Sequence, residues 1–330
     1  MQPKKPSTIR DVAAAAGVST ATVSKFINGQ QRFSAEVEAR MKTVIEQLGY
    51  RQNPLARSMV TGQTKSVGLA IMDVRNPHFA NIVKGANRVA IEHDYNLLVV
   101  DLEESPKREQ ELLGALSRRV DGLIVSSRIP LETVDWLAQQ GKPVVFFGAI
   151  QRQGVVAVRT DGYRAANMLG RHLASQGRKR FAYVGFPQAR WNTERLQGLQ
   201  DGLAQIGASA RVFDVNLPTP EEGEAICSRV LLADDRPDAV VCYNDLVALG
   251  FMHEAQSLGL KVPDDVAVAG FDDIPLARYA NPPLTTVDMQ SERQGVVAME
   301  RLLGALAGNW PDADTLLEPR LVARQSTGRQ

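Results

Sequence analysis

Two groups of residues in this chain have types and spacing suited to chemistry. The first lies near the N-terminus, where Thr20, Ala21, Thr22, Ser24 and Lys25 form the polar side of a segment whose Val23 and Ile27 are apolar. Short hydroxyls at a helix start suit phosphate oxygens, and a lysine there reaches phosphate or a base edge. The second group follows apolar runs further along. It comprises Asp73, Asn76, His78 and Phe79; Ser126, Ser127 and Arg128; Arg190, Trp191 and Arg195; Asn244 and Asp245; and Asp272. Phe79 and Trp191 offer stacking faces, and Asn244 and Asp272 offer partners for hydroxyls, as a cleft for a small polar ring requires. Catalytic patterns are wanting. The chain has no Gly-x-Ser-x-Gly elbow, phosphate-binding loop or Gly-x-Gly-x-x-Gly fingerprint. Its four histidines, His78, His93, His172 and His253, lack metal-ligand spacing. No catalytic residue, cofactor or metal is expected.

The first group needs helices to hold it. Ile9, Val12, Ala13 and Ala16 fall on one helical face, with Thr8 as N-cap and Gly17 as stop. Ser19 caps a second helix that runs to Ile27 and ends at Asn28-Gly29. A third begins near Ser34 and is expected to bury Val37, Met41, Val44, Ile45 and Leu48. Two short helices joined by a tight Gly-containing turn form the helix-turn-helix pattern. Pro54 then breaks the third helix and opens a short one, Pro54 to Val60, which is too short to be stable alone.

Charge supports this division. Residues 1–65 carry ten Lys and Arg against four acids, a net +6, while the remainder is −5. A basic head on a mildly acidic body suits a polyanion partner. The hydrophobic share of 44% with 23% charged residues excludes a disordered or fibrous chain. No apolar run reaches the roughly 20 residues of a membrane-spanning helix. The first residues lead into no apolar stretch, so no secretory signal is expected, and Cys227 and Cys242 fit a reducing cytoplasm.

The second group needs strands. Apolar runs at Val67–Met72, Leu97–Leu102, Gly122–Val125, Val144–Phe147, Phe181–Val184, Ala239–Cys242 and Val266–Ala269 alternate with helical stretches. That order predicts an α/β body with doubly wound parallel sheets, and its length predicts two lobes rather than one sheet.

Thr8-Ile-Arg-Asp-Val-Ala, Ala16-Gly-Val-Ser-Thr-Ala-Thr-Val-Ser24, Asn28-Gly29 and Leu48-Gly-Tyr-Arg-Gln-Asn-Pro-Leu-Ala-Arg-Ser-Met59 together resemble the LacI–GalR family of bacterial transcription regulators. The likeness continues through Asp73 to Phe79, Arg119 to Ile124, Tyr243 to Asp245, Val262 to Ala267, Gly270 to Asp273 and Pro283 to Thr286. The resemblance implies a DNA-binding head at 1–53, a hinge helix and linker at 54–65, and an effector-binding body at 66–330 resembling periplasmic binding proteins. Lobe one would be about 66–161 and 291–318; lobe two would be about 162–290 and 319–330. Thr20, Ala21 and Lys25 would occupy the base-reading positions, with Lys25 carrying most of the direct readout. Thr8, Ser19, Thr22, Asn28, Arg32, Asn53 and Arg57 would help to position the backbone. Ala56 would allow close approach of the hinge helix, and Met59 would be its minor-groove wedge.

The implied function is a ligand-responsive, cytoplasmic repressor of a carbon-source operon. It would bind a palindromic operator as a homodimer, with the effector between the lobes. A free solute-binding protein or an enzyme on the same fold is the alternative. Among the cleft candidates, the resemblance supports Phe79, Arg195, Asn244 and Asp272 best. Gly148 stands where the family often has Asp, and Met289 where it often has Gln, so some polar contacts are missing. Three arginines, Arg128, Arg190 and Arg195, favour a sugar acid or sugar phosphate as effector, with a neutral monosaccharide as runner-up.

Overall fold

The computed structural model describes residues 7–51, 58, 61–105, 107–150, 152, 154–232, 235–310 and 313–328. It forms two units, Met1–Thr64 and Lys65–Gln330.

The smaller unit contains α1 (Ile9–Ala16), α2 (Thr20–Ile27) and α3 (Ala35–Leu48). Each start is fixed by a side chain. Thr8 and Asp11 form a reciprocal capping box, in which the Asp11 carboxylate accepts the Thr8 N–H at 2.8 Å. Ser19 accepts from the Thr22 N–H at 3.1 Å, and Ser34 from that of Val37 at 3.4 Å. Gly17 (φ 64°) ends α1 in the left-handed region and lets the chain turn at once into α2. Val12, Ala13, Ala16, Val23, Met41 and Val44 make the buried centre. Leu48 departs from expectation: it is 36% exposed at the end of α3. Phe26 and Phe33, edge to face at 6.5 Å, and Tyr50 contribute to the core instead.

The larger unit begins with β1 (Ser66–Ile71), α4 (Pro77–Glu92), β2 (Asn96–Asp101), α5 (Glu109–Ser117), β3 (Gly122–Ser126), α6 (Leu131–Ala138), β4 (Val144–Phe147) and β5 (Val156–Thr160). Next come α7 (Gly162–Ser175), β6 (Phe181–Gly185), α8 (Trp191–Ala204), β7 (Ala210–Asp214), α9 (Pro220–Leu231), β8 (Ala239–Cys242), α10 (Asp245–Ser257), β9 (Ala267–Phe271), α11 (Pro275–Tyr279) and β10 (Thr285–Asp288). The chain ends with α12 (Ser291–Leu306), β11 (Thr315–Leu317) and β12 (Arg320–Val322). One sheet has the order β11-β5-β4-β3-β1-β2 and the other β12-β10-β9-β8-β6-β7. All pairings are parallel except β10 with β12. The fold is therefore a helix-turn-helix unit plus an α/β body of two doubly wound lobes.

The central strands β1, β3, β4, β6, β8 and β9 read as continuous apolar runs because both of their faces are covered. Strands β5, β7, β10, β11 and β12 lack that signal. Strand β7 is an edge with exposed Arg211, Val212 and Asp214, β5 and β10 mix polar with apolar residues, and β11 and β12 have three residues each. Cys227 and Cys242 are fully buried, and burial pushes both thiols up, Cys227 to about 12, so neither supplies thiolate at neutral pH.

Helices α4 and α12 pack backbone to backbone. A Cβ on Gly85 would lie inside the Glu292 carbonyl, and one on Gly295 inside the Ile82 carbonyl. Substituting Gly295 by Ala raises helix propensity by about 1 kcal/mol, but it must push two helices apart. The expected net result is a loss of about 1–3 kcal/mol, read as a lower melting temperature of Gly295→Ala. A variant as stable as wild type would contradict this close approach.

Candidate functional site

In each sheet the strand order reverses between two neighbours, β1/β3 in the first and β6/β8 in the second. Crevices outside the carboxyl ends of such strands are where open α/β sheets take ligands. A cleft opens at this place between the lobes. It is lined by Asn76, His78, Phe79, Arg128, Phe147, Gly148, Ala149, Arg159, Thr160, Gly162, Trp191, Arg195, Tyr243, Asn244, Asp272, Met289 and Gln294.

Asp272 is the most constrained of these. It and Asp273 have positive φ, 109° and 50°, which costs of order 1–3 kcal/mol per residue unless the surroundings enforce it. The enforcement is visible. The Asp272 N–H donates to the Val287 carbonyl at 2.9 Å and that of Asp273 to Thr286 Oγ1 at 3.3 Å. The Ile274 N–H donates to the fully buried Asp245 at 2.9 Å, and the Arg324 guanidinium holds Asp273 at 2.5 Å. Asp245 is therefore a positioning residue rather than a cleft contact. The turn presents the Asp272 carboxylate to His78 Nδ1 at 3.4 Å and Arg195 at 4.0 Å. Burial raises the Asp272 pKa against the pull of His78, Arg195 and Arg128, and burial lowers that of His78. His78 Nδ1 also lies 2.8 Å from Ser291 Oγ. Arg195 donates to the Tyr243 carbonyl at 2.5 Å and stacks over Phe271 at 4.3 Å, but its buried Nε has no partner. An Asp272 carboxylate that lies 3.4 Å from His78 and 4.0 Å from Arg195 can take a hydroxyl from a bound molecule.

The other expected residues divide. Phe79 and Trp191 line the cleft, and Phe79 meets Phe147 edge to face at 6.1 Å. Asn244 also lines it, but its amide is committed: Oδ1 accepts the Val247 N–H at 2.9 Å, and Nδ2 donates to the Pro218 carbonyl at 3.1 Å. Three expectations are corrected. Asp73 lies outside the lining and is gripped by the neighbouring Arg75 guanidinium at 2.8 Å. Ser127 is buried outside the lining, with its hydroxyl unpartnered. Arg190 also lies outside, because it crosses between the lobes and donates to the carbonyls of Ser127 and Ile129, the latter at 2.7 Å. Arg128 does line the cleft, but its guanidinium is paired with Glu104.

The charge that suggested an anionic effector is thus balanced from within. Arg159, which the sequence did not single out, lines the cleft and stands 3.6 Å from Glu194. It lies near the end of β5, the strand without a clear apolar run. Gln294 was also missed. It sits on α12, where Nε2 donates to the Met289 carbonyl at 2.7 Å and reaches Thr160 Oγ1 at 3.2 Å.

On the helix-turn-helix unit, Thr8, Ser19, Thr20, Ala21, Lys25 and Arg32 are exposed, and Thr22 and Asn28 half-buried. Ser19 and Thr22 share a hydrogen bond at 2.9 Å, Lys25 Nζ reaches Gln31 at 3.3 Å, and Asn28 reaches Ser24 at 3.4 Å. The start of α2 therefore presents backbone N–H groups, hydroxyls and an ammonium on one accessible surface. Asn53, Ala56, Arg57 and Met59 lie outside the described residues.

A helix-turn-helix unit of this polarity, followed by a two-lobed cleft, defines a DNA-binding regulator that answers to a small molecule. Residues 8–53 match the family described as bacterial regulatory proteins, lacI family, and residues 171–327 match a periplasmic binding protein-like domain. The HTH-type transcriptional repressor PurR of Edwardsiella ictaluri is 32% identical over 332 residues, covering 97% of this chain and 96% of that protein. Catabolite control protein A of Staphylococcus xylosus is 31% identical, covering 97% of this chain and 98% of that protein. The crystal structure of the lac repressor dimer bound to operator and an anti-inducer superposes with a TM-score of 0.90 at 24% identity, covering 98% and 100% of the two chains. A complex of the regulator CelR with cellobiose gives 0.73 at 27% identity, covering 97% and 99%. The chain belongs to the LacI family of bacterial transcription regulators. It is a DNA-binding repressor of the ligand-responsive kind and not an enzyme.

Beside the cleft, Glu109 is 2% exposed, with Oε2 unpartnered. Burial, and then the nearby Glu104 charge, push its pKa up to about 7, against Arg128 and Arg190. A raised acid favours the protonated native state. Below about pH 4.5, the reference value, folded and unfolded chains both hold the proton. Between there and about 7 only the unfolded chain releases it, so the native protein loses stability as pH rises. Glu109→Gln has no proton to lose. Its melting temperature relative to wild type should climb across that window and level off above it. A difference independent of pH would contradict a buried, protonated Glu109.

Proposed function

We propose that this repressor binds a palindromic operator as a homodimer in the cytoplasm, and that its effector is a neutral monosaccharide held in the cleft between the lobes. The observation that carries the effector reading is the internal pairing of the cleft arginines. Arg128 has Glu104, Arg159 has Glu194, and Arg190 is spent on two carbonyls. Arg195 shares the cleft with Asp272. An anionic effector would have to displace one of these partners, whereas a polyol can insert hydroxyls between Asp272 and Arg195 while Phe79 and Trp191 cover its carbon faces. The neutral sugar therefore takes precedence over the sugar acid or sugar phosphate. The cellobiose carried by the solved CelR complex supports a neutral sugar in such a body.

For DNA, support comes from the exposed start of α2 and the +6 charge of residues 1–65. Thr20, Ala21 and Lys25 read bases, while Thr8, Ser19, Thr22, Asn28 and Arg32 position the phosphates. Asn53, Ala56, Arg57 and Met59 keep their proposed hinge roles. Self-association is supported by the uncovered edge strand β2, with Val99 44% exposed, and by Tyr279 at 79%. Regulation follows from linkage. The operator and the effector favour different lobe arrangements, so each changes the affinity for the other by the same factor.

The DNA reading is tested on an operator selected from a random library. Binding should weaken with salt at a logarithmic slope of about −0.9 per neutralised phosphate. Lys25→Ala should lose about 1–3 kcal/mol and relax preference at one base pair per half-site. Full operator affinity after deletion of residues 1–65 would overturn it. The effector reading is tested by calorimetry with a neutral sugar panel, the matching sugar acids and the matching phosphate esters. A neutral sugar should bind, and Asp272→Asn should weaken it more than tenfold, about 1.4 kcal/mol. Tight binding of an anion, with every neutral sugar failing, would overturn it.

A further inference from the structure

Three carboxamides line the cleft, Asn76, Asn244 and Gln294. Two have spent their oxygens on helix starts. Asn76 Oδ1 accepts the His78 N–H at 3.0 Å, and Asn244 Oδ1 accepts that of Val247 at 2.9 Å. Gln294, near the start of α12, is held by its nitrogen instead. Nε2 donates to the Met289 carbonyl at 2.7 Å and to Thr160 Oγ1 at 3.2 Å, so both of its N–H groups are engaged. A carbonyl can only accept, and this fixes which end of the amide faces Met289. Oε1 is the end left over, and among the described residues no donor reaches it. Nor is it sealed in. The buried side-chain atoms without a partner belong to Glu109, Ser127, Arg178, Arg195 and Thr315, and Gln294 Oε1 is not among them. It therefore keeps some surface. The residue as a whole is only 4% exposed, and the cleft is what it lines.

We propose that Gln294 is a specificity-determining residue of the cleft, and that the effector donates a hydroxyl hydrogen to its Oε1. This rests on the reading of the effector as a neutral monosaccharide and deepens it. The oxygen cannot be exchanged for a donor, because turning the amide over would set Oε1 against the Met289 carbonyl. It accepts an O–H, and it repels an ether oxygen, a carbonyl or a fluorine in the same place. The Asp272 carboxylate takes a second hydroxyl, so the sugar must donate at two separate points. The Trp191 indole, which fills the side-chain space of Gly148 from across the cleft, covers a ring face between them. The same amide ties Thr160, at the end of β5, to Met289, beyond β10, so the effector bonds to a group that joins the two sheets.

The test is calorimetry of the full chain with D-glucose, D-galactose, D-mannose and D-xylose, then with the monodeoxy and monodeoxyfluoro forms of the sugar that binds. Fluorine keeps a hydroxyl's size without its hydrogen, so it rescues a hydroxyl that accepts and fails one that donates. At two ring positions both forms should bind about 10- to 100-fold more weakly than the parent. In Gln294→Met the penalty at one of these positions should vanish while that at the other stays, a pattern that a merely structural loss would not produce. Thermal melts check that the variant folds, and the wild-type scan is decisive without it. Fewer than two donating positions, or both penalties intact in folded Gln294→Met, overturns the proposal while leaving the neutral-sugar reading in place. Failure of every neutral sugar overturns both.

Discussion

The body is organised around the places where the chain passes between its two sheets. It does so after β5, before α12 and between β11 and β12, and hydrogen bonds tie these passages together. The Met289 carbonyl accepts from Thr160 Oγ1 at 2.6 Å and from Gln294 Nε2 at 2.7 Å. The Asp161 N–H donates to the Leu317 carbonyl at 3.1 Å, and Gln290 reaches the Glu318 carbonyl. Three strands of backbone stitched at one place leave the lobes rotation about that place and little else. Thr160, Met289 and Gln294 also line the cleft, so its floor is the pivot itself. A molecule bound there touches the element that sets the angle between the lobes.

The same geometry explains the cleft's balance of charge. Both lobes direct the carboxyl ends of their strands and the loops that follow into it, and two lining arginines, Arg128 and Arg195, have been taken out of bulk water. A buried guanidinium is tolerable only when paired and hydrogen-bonded. Glu104, Asp272 and the Tyr243 carbonyl meet that need, while the half-buried Arg159 pairs with Glu194. Recognition is left to Arg195, a lining arginine whose bonding is incomplete, and to a carboxylate held in a strained turn.

Much of this was legible in the residues. The head could be read because its caps, Thr8, Ser19 and Ser34, and its stop, Gly17, are local chemistry that the structure reproduces. The central strands could be read because strands buried on both faces are apolar throughout. Legibility failed where tertiary contacts decide. Arg190 reads like a cleft arginine, yet it is consumed by carbonyls some sixty residues earlier in the chain. Asp73 follows β1 as a ligand residue would, yet it is paired with Arg75 at 2.8 Å and lies outside the cleft lining. Arg159, Thr160 and Gln294 carry no periodic signal, since they enter the cleft from a mixed strand and from a helix at the pivot. Gly148 could be noticed as a missing carboxylate, but not as a position filled from across the cleft by an indole.

Arg190 has a counterpart. While it reaches from the second lobe to carbonyls on either side of residue 128, Arg128 of the first lobe lies over the Phe186 ring of the second, 4.8 Å from its centre. Each lobe therefore grips the other with an arginine. Such contacts must be broken before the lobes can part. If entry required both arginines to let go, association would stop accelerating at high concentration and take on the opening rate of the lobes. The clasp would then govern how quickly a change in the cell's supply reaches the operator, independently of how tightly the effector is finally held.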